Sequence, residues 1–188
     1  GFADADVIVE RAYETPTVHQ GYIEPHATTV RFDDNGPSMI WCPTQGHFDV
    51  RARVAQLLNM ELGQIKVVAS EIGGGFGGKT TVYLEPVALI LSKKSGRPVK
   101  MTMSREDVFR AFGPASASQS TVKIGAKSDG TITAMQASLH YEAGAFKGSP
   151  MGPGCMTIFT PYDVENMYVE GFDVVVNKPK AAAYRAPG

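Results

Sequence analysis

The sequence predicts an α+β fold, with mixed sheets and helices packed on them. Three observations point there. Short runs rich in Val, Ile and Thr recur along the chain, bounded by Gly, Pro, Asn, Asp or Ser. Phe48 to Asn59 carries apolar residues at helical spacing, and Glu85 to Lys94 has a proline in its first turn and a glycine after its end, as helices do. Ser128-Asp129-Gly130 separates two alternating runs and predicts a hairpin.

In chain order, Val7 to Tyr13 reads as a strand. A domain that opens on a strand is expected to lack sequence upstream. Ala27 to Phe32 and Ser38 to Cys42 flank Asp33-Asp34-Asn35-Gly36-Pro37, whose turn chemistry makes 27–42 a hairpin. Phe48 to Asn59 places Val50, Val54, Leu57 and Leu58 on one helical stripe, with Gly63 as its stop. Ile65 to Ala69 is a short apolar strand. Glu85 to Lys94 is a helix, because Pro86 suits a first turn and Gly96 an end. Val99 to Met103 is a strand, and Ser104 then caps a short helix with Glu106 and Asp107 in its first turn. Thr121 to Ala126 and Thr131 to Tyr141 form the hairpin. Residues 144–154 read as a second glycine-rich loop, Met167 to Asn177 as the last strand, and 180–188 as a loop. The whole is expected to be one domain over 1–188, truncated at both ends.

Composition narrows the function. Lys and Arg number 18 against 19 Asp and Glu, a net charge of −1, which gives no electrostatic case for nucleic acid. No apolar run approaches the ~20 residues of a membrane helix, and the N-terminus lacks a leader pattern. Two cysteines make no disulfide framework, so a cytoplasmic location is expected. His19, His26, His47 and His140 offer no pair at the spacing of a helical zinc site. Cys42 reads as a buried small hydrophobe, and Cys155 as a packing residue.

The 20 glycines are concentrated in two places, the first being Gly73-Gly74-Gly75-Phe76-Gly77-Gly78-Lys79-Thr80. Its letters satisfy the phosphate-loop pattern G-x-x-x-x-G-K-[ST], which requires a helix starting at the Gly-Lys-Thr. Such a helix would carry Pro86 in its third turn, at a cost of ~3 kcal/mol. The helix is therefore expected to start near Glu85, detached from the loop. Nor does Val174-Val175-Val176 end in a magnesium-binding aspartate; Asn177 follows. A glycine loop also lets backbone pass close to a ligand and supplies N–H donors. Phe76 is then either a wall beside that ligand or a core residue.

Glu71-Ile72-Gly73-Gly74-Gly75-Phe76-Gly77-Gly78-Lys79 resembles the pterin-and-molybdenum loop of the xanthine dehydrogenase / aldehyde oxidase family of molybdenum hydroxylases. Trp41-Cys42-Pro43-Thr44-Gln45, followed by a helix, resembles the family's strand–Thr-Gln–helix segment. Ala183-Tyr184-Arg185-Ala186-Pro187-Gly188 resembles its Ala-aromatic-Arg-x-x-Gly segment. Gln20-Gly21-Tyr22-Ile23-Glu24-Pro25 resembles a further signature, read as structural. The resemblance spans essentially the whole chain.

It implies a partial molybdenum cofactor-binding domain of the aldehyde oxidase/xanthine dehydrogenase type, the N-terminal part of that region. The cofactor would be molybdopterin, or its cytosine dinucleotide, with molybdenum. Iron–sulfur clusters and FAD would sit on partner domains or subunits. The other expected partners are the rest of the large subunit and a small-molecule substrate, with no nucleic acid and no membrane. In the family no protein atom ligates the metal. By resemblance, Gln45 would donate its amide to an oxo group, and Phe76 and Gly77 would place backbone N–H groups near the metal's oxygen ligands. Gly75 and Gly78 belong to the same cofactor-binding loop, and Arg185 would lie beside the molybdenum. Thr80 and Pro187 would face the substrate. Without the resemblance, Gln45 reads as a polar residue at a helix start and Arg185 as a surface ion pair.

Several positions depart from the family's subgroups. Thr80 stands where purine hydroxylases have a glutamate, and no arginine lies between Lys147 and Lys178. Ala186 stands where carbon monoxide dehydrogenases have a copper-binding cysteine. The expectation is hydroxylation of an aldehyde or aromatic N-heterocycle with water-derived oxygen, or a related reduction of an aromatic thioester. The family's catalytic base is a glutamate downstream of the Tyr-Arg segment, so no catalytic residue is expected within this chain, and the chain alone is expected to be inactive. Two alternatives remain open at this point: a nucleotide-binding loop at Gly73 to Thr80, and a cofactor-free scaffold module of the same fold.

Overall fold

The computed structural model describes residues 1–185. The elements in chain order are β1 (Val7–Thr15), β2 (Ala27–Arg31), β3 (Ser38–Cys42), α1 (His47–Leu58), β4 (Ile65–Ala69), α2 (Glu85–Ser95), β5 (Val99–Thr102), α3 (Arg105–Ala111), β6 (Ser118–Ala126), β7 (Ile132–Gly144), α4 (Met151–Thr157) and β8 (Met167–Val175). The α+β expectation holds. The chain divides into two compact units, one formed by 20–112 and the other by 1–19 with 113–188.

The 20–112 unit is built on a sheet in the order β4-β3-β2-β5. β2 pairs antiparallel with both β3 and β5. β3 pairs parallel with β4, from Ser38 opposite Ile65 to Cys42 opposite Ala69. A parallel neighbour cannot be reached by a tight turn, so the chain crosses over through α1. Val30, Ile40, Cys42 and Ile65 from the sheet close on Val50, Val54, Ala88 and Leu89 from α1 and α2, all buried. Leu57, expected on the buried stripe of α1, is exposed. The buried face turns toward Ala55, whose small side chain permits close packing, and Leu57 falls at its edge. Asn59 ends α1 in the left-handed region (φ 51°), a conformation asparagine tolerates, so Gly63 is not the stop. α2 keeps Pro86 in its first turn and ends on left-handed Gly96. α3 opens on a reciprocal cap: Asp107 N–H donates to Ser104 Oγ, and Ser104 N–H to the Asp107 carboxylate. A second, smaller core gathers Tyr22, Val108 and Phe112. There His26 stacks on Phe112 at 3.7 Å and shares a 2.7 Å hydrogen bond with the Tyr22 hydroxyl.

The other unit is a sheet in the order β1-β6-β7-β8. β6 and β7 are the predicted hairpin, longer than expected at its open end. β8 ends at Val175, two residues short of the expected Asn177, and runs parallel to β7. The crossover between them begins with the 144–154 segment, and only the first half of that segment is a loop. α4 starts at Met151 despite Gly152 and Gly154, which are poor helix formers. Packing overrides propensity there. A Cβ on Gly154 would lie 2.6 Å from the Tyr141 hydroxyl, and one on Gly171 of β8 would lie 2.4 Å from Cys155 Sγ. These glycines let α4 sit directly on β7 and β8, over Met135, Ala137 and Leu139. Cys155 packs there as expected. No helix among the described residues is long and apolar enough to cross a membrane.

The loop before α4 is held by Asp173 of β8, whose carboxylate accepts from Gly148 N–H (2.6 Å) and Ser149 N–H (2.9 Å). Hydrogen bonding from Ser149, then from Gly148, holds its carboxyl below the ordinary 3.8. A depressed folded value stabilises above the unfolded one and is lost as pH falls through the folded one. Hydrogen exchange should therefore show protection of the Gly148 and Ser149 amides falling on acidification below pH 3.8, and Asp173→Asn should flatten that dependence.

Candidate functional site

In sheets with parallel strands, ligands bind outside the carboxyl ends of those strands. β3 and β4 end side by side, Cys42 opposite Ala69. The segment leaving β3 is Pro43-Thr44-Gln45, and the segment leaving β4 leads into Gly73 to Lys79. Two of the motifs singled out in the sequence are thereby brought together and joined by hydrogen bonds.

Gln45 is clamped on this loop. Its Oε1 accepts from Gly77 N–H (2.9 Å) and Lys79 N–H (3.2 Å). Its backbone N–H donates to Lys79 O at 2.8 Å. Thr44 Oγ1 also donates to Lys79 O and accepts from Gly46 N–H, which locks the turn before α1. Two backbone donors on Oε1 settle which end of the amide is oxygen. Nε2 is left with two donor protons and no acceptor among the described residues, on an exposed side chain.

The glycines are required by close approach. A Cβ on Gly75 would lie 2.5 Å from Gln45 Oε1, and one on Gly73 2.6 Å from Glu24 Cβ. Gly78 is buried, and a Cβ there would lie 2.9 Å from Tyr22 Cε1. Phe76 does not enter the core: it is 47% exposed, with a left-handed φ of 50°. Such a conformation is costly for a bulky residue and is kept only where the surroundings enforce it. The N–H groups of Gly74, Gly75 and Phe76 have no acceptor among the described residues. Gly77 differs from the expectation, because its N–H is taken by Gln45. Its part is to orient that amide.

Lys79 corrects the phosphate-loop alternative. Its ammonium is buried, 2.5 Å from Glu24 Oε2 and 4.9 Å from the centre of the Tyr22 ring. The chain turns at 76–79, and no helix follows until Glu85. A phosphate would find neither a free ammonium nor a helix start. Glu24, read from sequence as part of a structural signature, is the residue whose place at the loop was missed. It accepts from Gly73 N–H at 2.7 Å, and its own N–H donates to Gly73 O. Its spacing of 55 residues from Lys79 carries no local pattern that would have revealed the pairing.

Thr80 is exposed, with its hydroxyl donating to Gly77 O. Arg185 belongs to the other unit, where it is exposed, left-handed (φ 60°) and without an ion-pair partner among the described residues. Pro187 and Ala186 lie outside the described residues. Cys42, behind the site, is no nucleophile: burial, and then the neighbouring Glu85 carboxylate, push its thiol up to about 12. No group of three His, Cys, Asp or Glu side chains among the described residues is placed to hold a metal ion. The unengaged groups are neutral N–H donors, which suit oxygen-rich ligands rather than a bare cation.

The family model described as the molybdopterin cofactor-binding domain matches residues 1–188. A probable xanthine dehydrogenase subunit of Bacillus subtilis (strain 168) is 29% identical over 100% of the chain, and the nicotinate dehydrogenase large molybdopterin subunit of Eubacterium barkeri 31% over 100%. The chain spans 26% and 45% of those two relatives. The structure of quinoline 2-oxidoreductase from Pseudomonas putida 86 shares the fold, with a TM-score of 0.92 at 24% identity, over 98% of this chain and 24% of that one.

Gly75 gives a direct check of the clamp. Gly75→Ala should push Gln45 off its two backbone donors and destabilise the protein by about 1–3 kcal/mol, as overpacking does. Chemical denaturation would measure the loss, and a structure of the variant would show Gln45 Oε1 away from Gly77 N.

Proposed function

The chain belongs to the molybdopterin cofactor-binding domain family, and on that premise we propose that it forms part of the cofactor pocket of a molybdenum hydroxylase acting on an aldehyde or aromatic N-heterocycle. The observation that carries this is the clamp on Gln45. Its oxygen is occupied by Gly77 and Lys79, so its amide protons remain for a ligand. The acceptor-free N–H groups of Gly74, Gly75 and Phe76 belong to the same loop. Neutral donors of this kind fit a group that presents oxygen atoms, so the residues present fit the molybdenum–pterin group.

When bound, that group supplies two-electron hydroxylation chemistry with water-derived oxygen, its electrons leaving to iron–sulfur and FAD partner domains or subunits. Gln45 would hold an oxygen of the group in place by hydrogen bonding, without taking or giving a proton at neutral pH. The Phe76 N–H would add a fixed donor, held by its left-handed backbone. Gly75 and Gly78 would keep side chains out of the approach. Arg185, exposed and without an ion-pair partner among the described residues, is proposed to lie beside the group. Thr80 and Pro187 would face the substrate. A neutral threonine there supplies no carboxylate to hold a purine. No acid among these 188 residues matches the family's base, so this stretch by itself is proposed to lack turnover.

The test belongs in the complete cofactor-binding subunit with its partners. About one molybdenum per chain is expected in the wild type; none at any stage of assembly would favour a cofactor-free scaffold. Gln45→Ala should lower turnover about 10–100-fold, the usual loss for a residue supporting a metal group from outside its ligand shell, while the variant stays folded by circular dichroism but melts lower, since the Gly77 and Lys79 N–H groups lose their acceptor. Unchanged turnover would remove Gln45 from the site.

A further inference from the structure

Gln45 is oriented largely by Lys79, and Lys79 is fixed by Glu24. Lys79 supplies a backbone N–H to Gln45 Oε1 and a carbonyl to the Gln45 N–H and the Thr44 hydroxyl. Its side chain runs inward, to an ammonium with 0% side-chain exposure beside Glu24 Oε2. The same oxygen accepts from Gly73 N–H, and Glu24 N–H donates to Gly73 O. One glutamate therefore ties the first residue of the glycine loop to the last. Glu24 is itself restrained, because the Arg105 guanidinium donates to the carbonyls of Tyr22 (2.9 Å) and Ile23 just before it. Tyr22 closes the arrangement under the Lys79 ammonium.

We infer that Glu24 and Lys79 are positioning residues, an ion pair whose task is to hold the glycine loop so that the Gln45 amide keeps its orientation toward the ligand. This rests on the molybdenum-pocket reading above. A surface ion pair would hold nothing, since exposed pairs are weak and mobile. A buried ammonium differs: once its carboxylate loses charge, it must move toward water or find another acceptor. The Lys79 backbone moves with it, and the amide seat of Gln45 is made of that backbone. Glu24 touches none of the groups proposed to face the ligand, so it can act on the ligand only through the loop.

A double-mutant cycle in the complete, cofactor-loaded enzyme tests this, read by turnover and by the molybdenum(V) electron paramagnetic resonance spectrum. Glu24→Gln keeps an acceptor for Gly73 N–H and removes the charge facing Lys79. It should lower turnover by about tenfold or more, with KM changed far less, and alter the spectrum in the same sense as Gln45→Ala. Glu24→Gln combined with Gln45→Ala should be no worse than Gln45→Ala alone, because both changes remove one orientation. Multiplying losses, or a wild-type spectrum in Glu24→Gln, would overturn the inference. If Glu24→Gln does not accumulate in loaded form, Glu24→Gln with Lys79→Met removes both charges and enters the same cycle, where non-multiplying losses support the inference and multiplying losses overturn it. A Gln45→Ala variant identical to wild type in turnover and spectrum would instead sink the pocket reading beneath it.

Discussion

Parallel pairing between β3 and β4 is the constraint on which the 20–112 unit depends. Had the two strands formed a hairpin, their carboxyl ends would point in opposite directions, to opposite ends of the strands. The crossover through α1 brings Cys42 opposite Ala69, and with them the segments that follow. α1 is bound to do this by burying Val50 and Val54 against Ile40 and Ile65. The helix that completes the core is thus the helix that places Gln45 beside the glycine loop. Stability and site geometry come from the same packing.

Electrostatics then decide what the loop offers. A lysine in a glycine-rich loop would ordinarily present a cation to any ligand. Here its ammonium is drawn inward to Glu24 and the Tyr22 ring. What remains on the loop is a set of neutral N–H groups, with the Gln45 amide among them. Fixed neutral dipoles stabilise an oxygen ligand without competing for protons, and they need no reorganisation when the ligand arrives. The half-buried pair stabilises the fold little in itself, since desolvation of the ammonium offsets much of the attraction. Its contribution is directional: it ties Gly73, Lys79 and Glu24 into one rigid seat.

Much of this was legible in the chain. The hairpins at 27–42 and 118–144, the proline-started helix at Glu85 and the capped helix after Ser104 all follow local chemistry, and local chemistry is visible in sequence. The detachment of α2 from the glycine loop could be read from Pro86 alone. The ordered motifs singled out Gln45 and the glycine loop, and the fold brings the two into contact. α4 was hidden, because Gly152 and Gly154 argue against a helix, and only the contact of Tyr141 with Gly154 and of Cys155 and Met151 with Gly171 shows why the helix packs there. The rotation of α1 that exposes Leu57 was hidden too, being set by contact with β4 and α2.

The residue types determined by themselves that the loop would be a close-contact backbone surface, that the chain would fold from short strands with packed helices, and that no helix would follow the Gly-Lys-Thr. These depend on propensities and steric limits within a few residues of each position. Tertiary structure decided which way each polar group points. Gly77 N–H turns to Gln45 instead of outward, Lys79 turns to a glutamate 55 residues away, and Phe76 stays at the surface. Such choices turn on which donor meets which acceptor once strands are paired, and no local pattern encodes a partner brought near only by the fold.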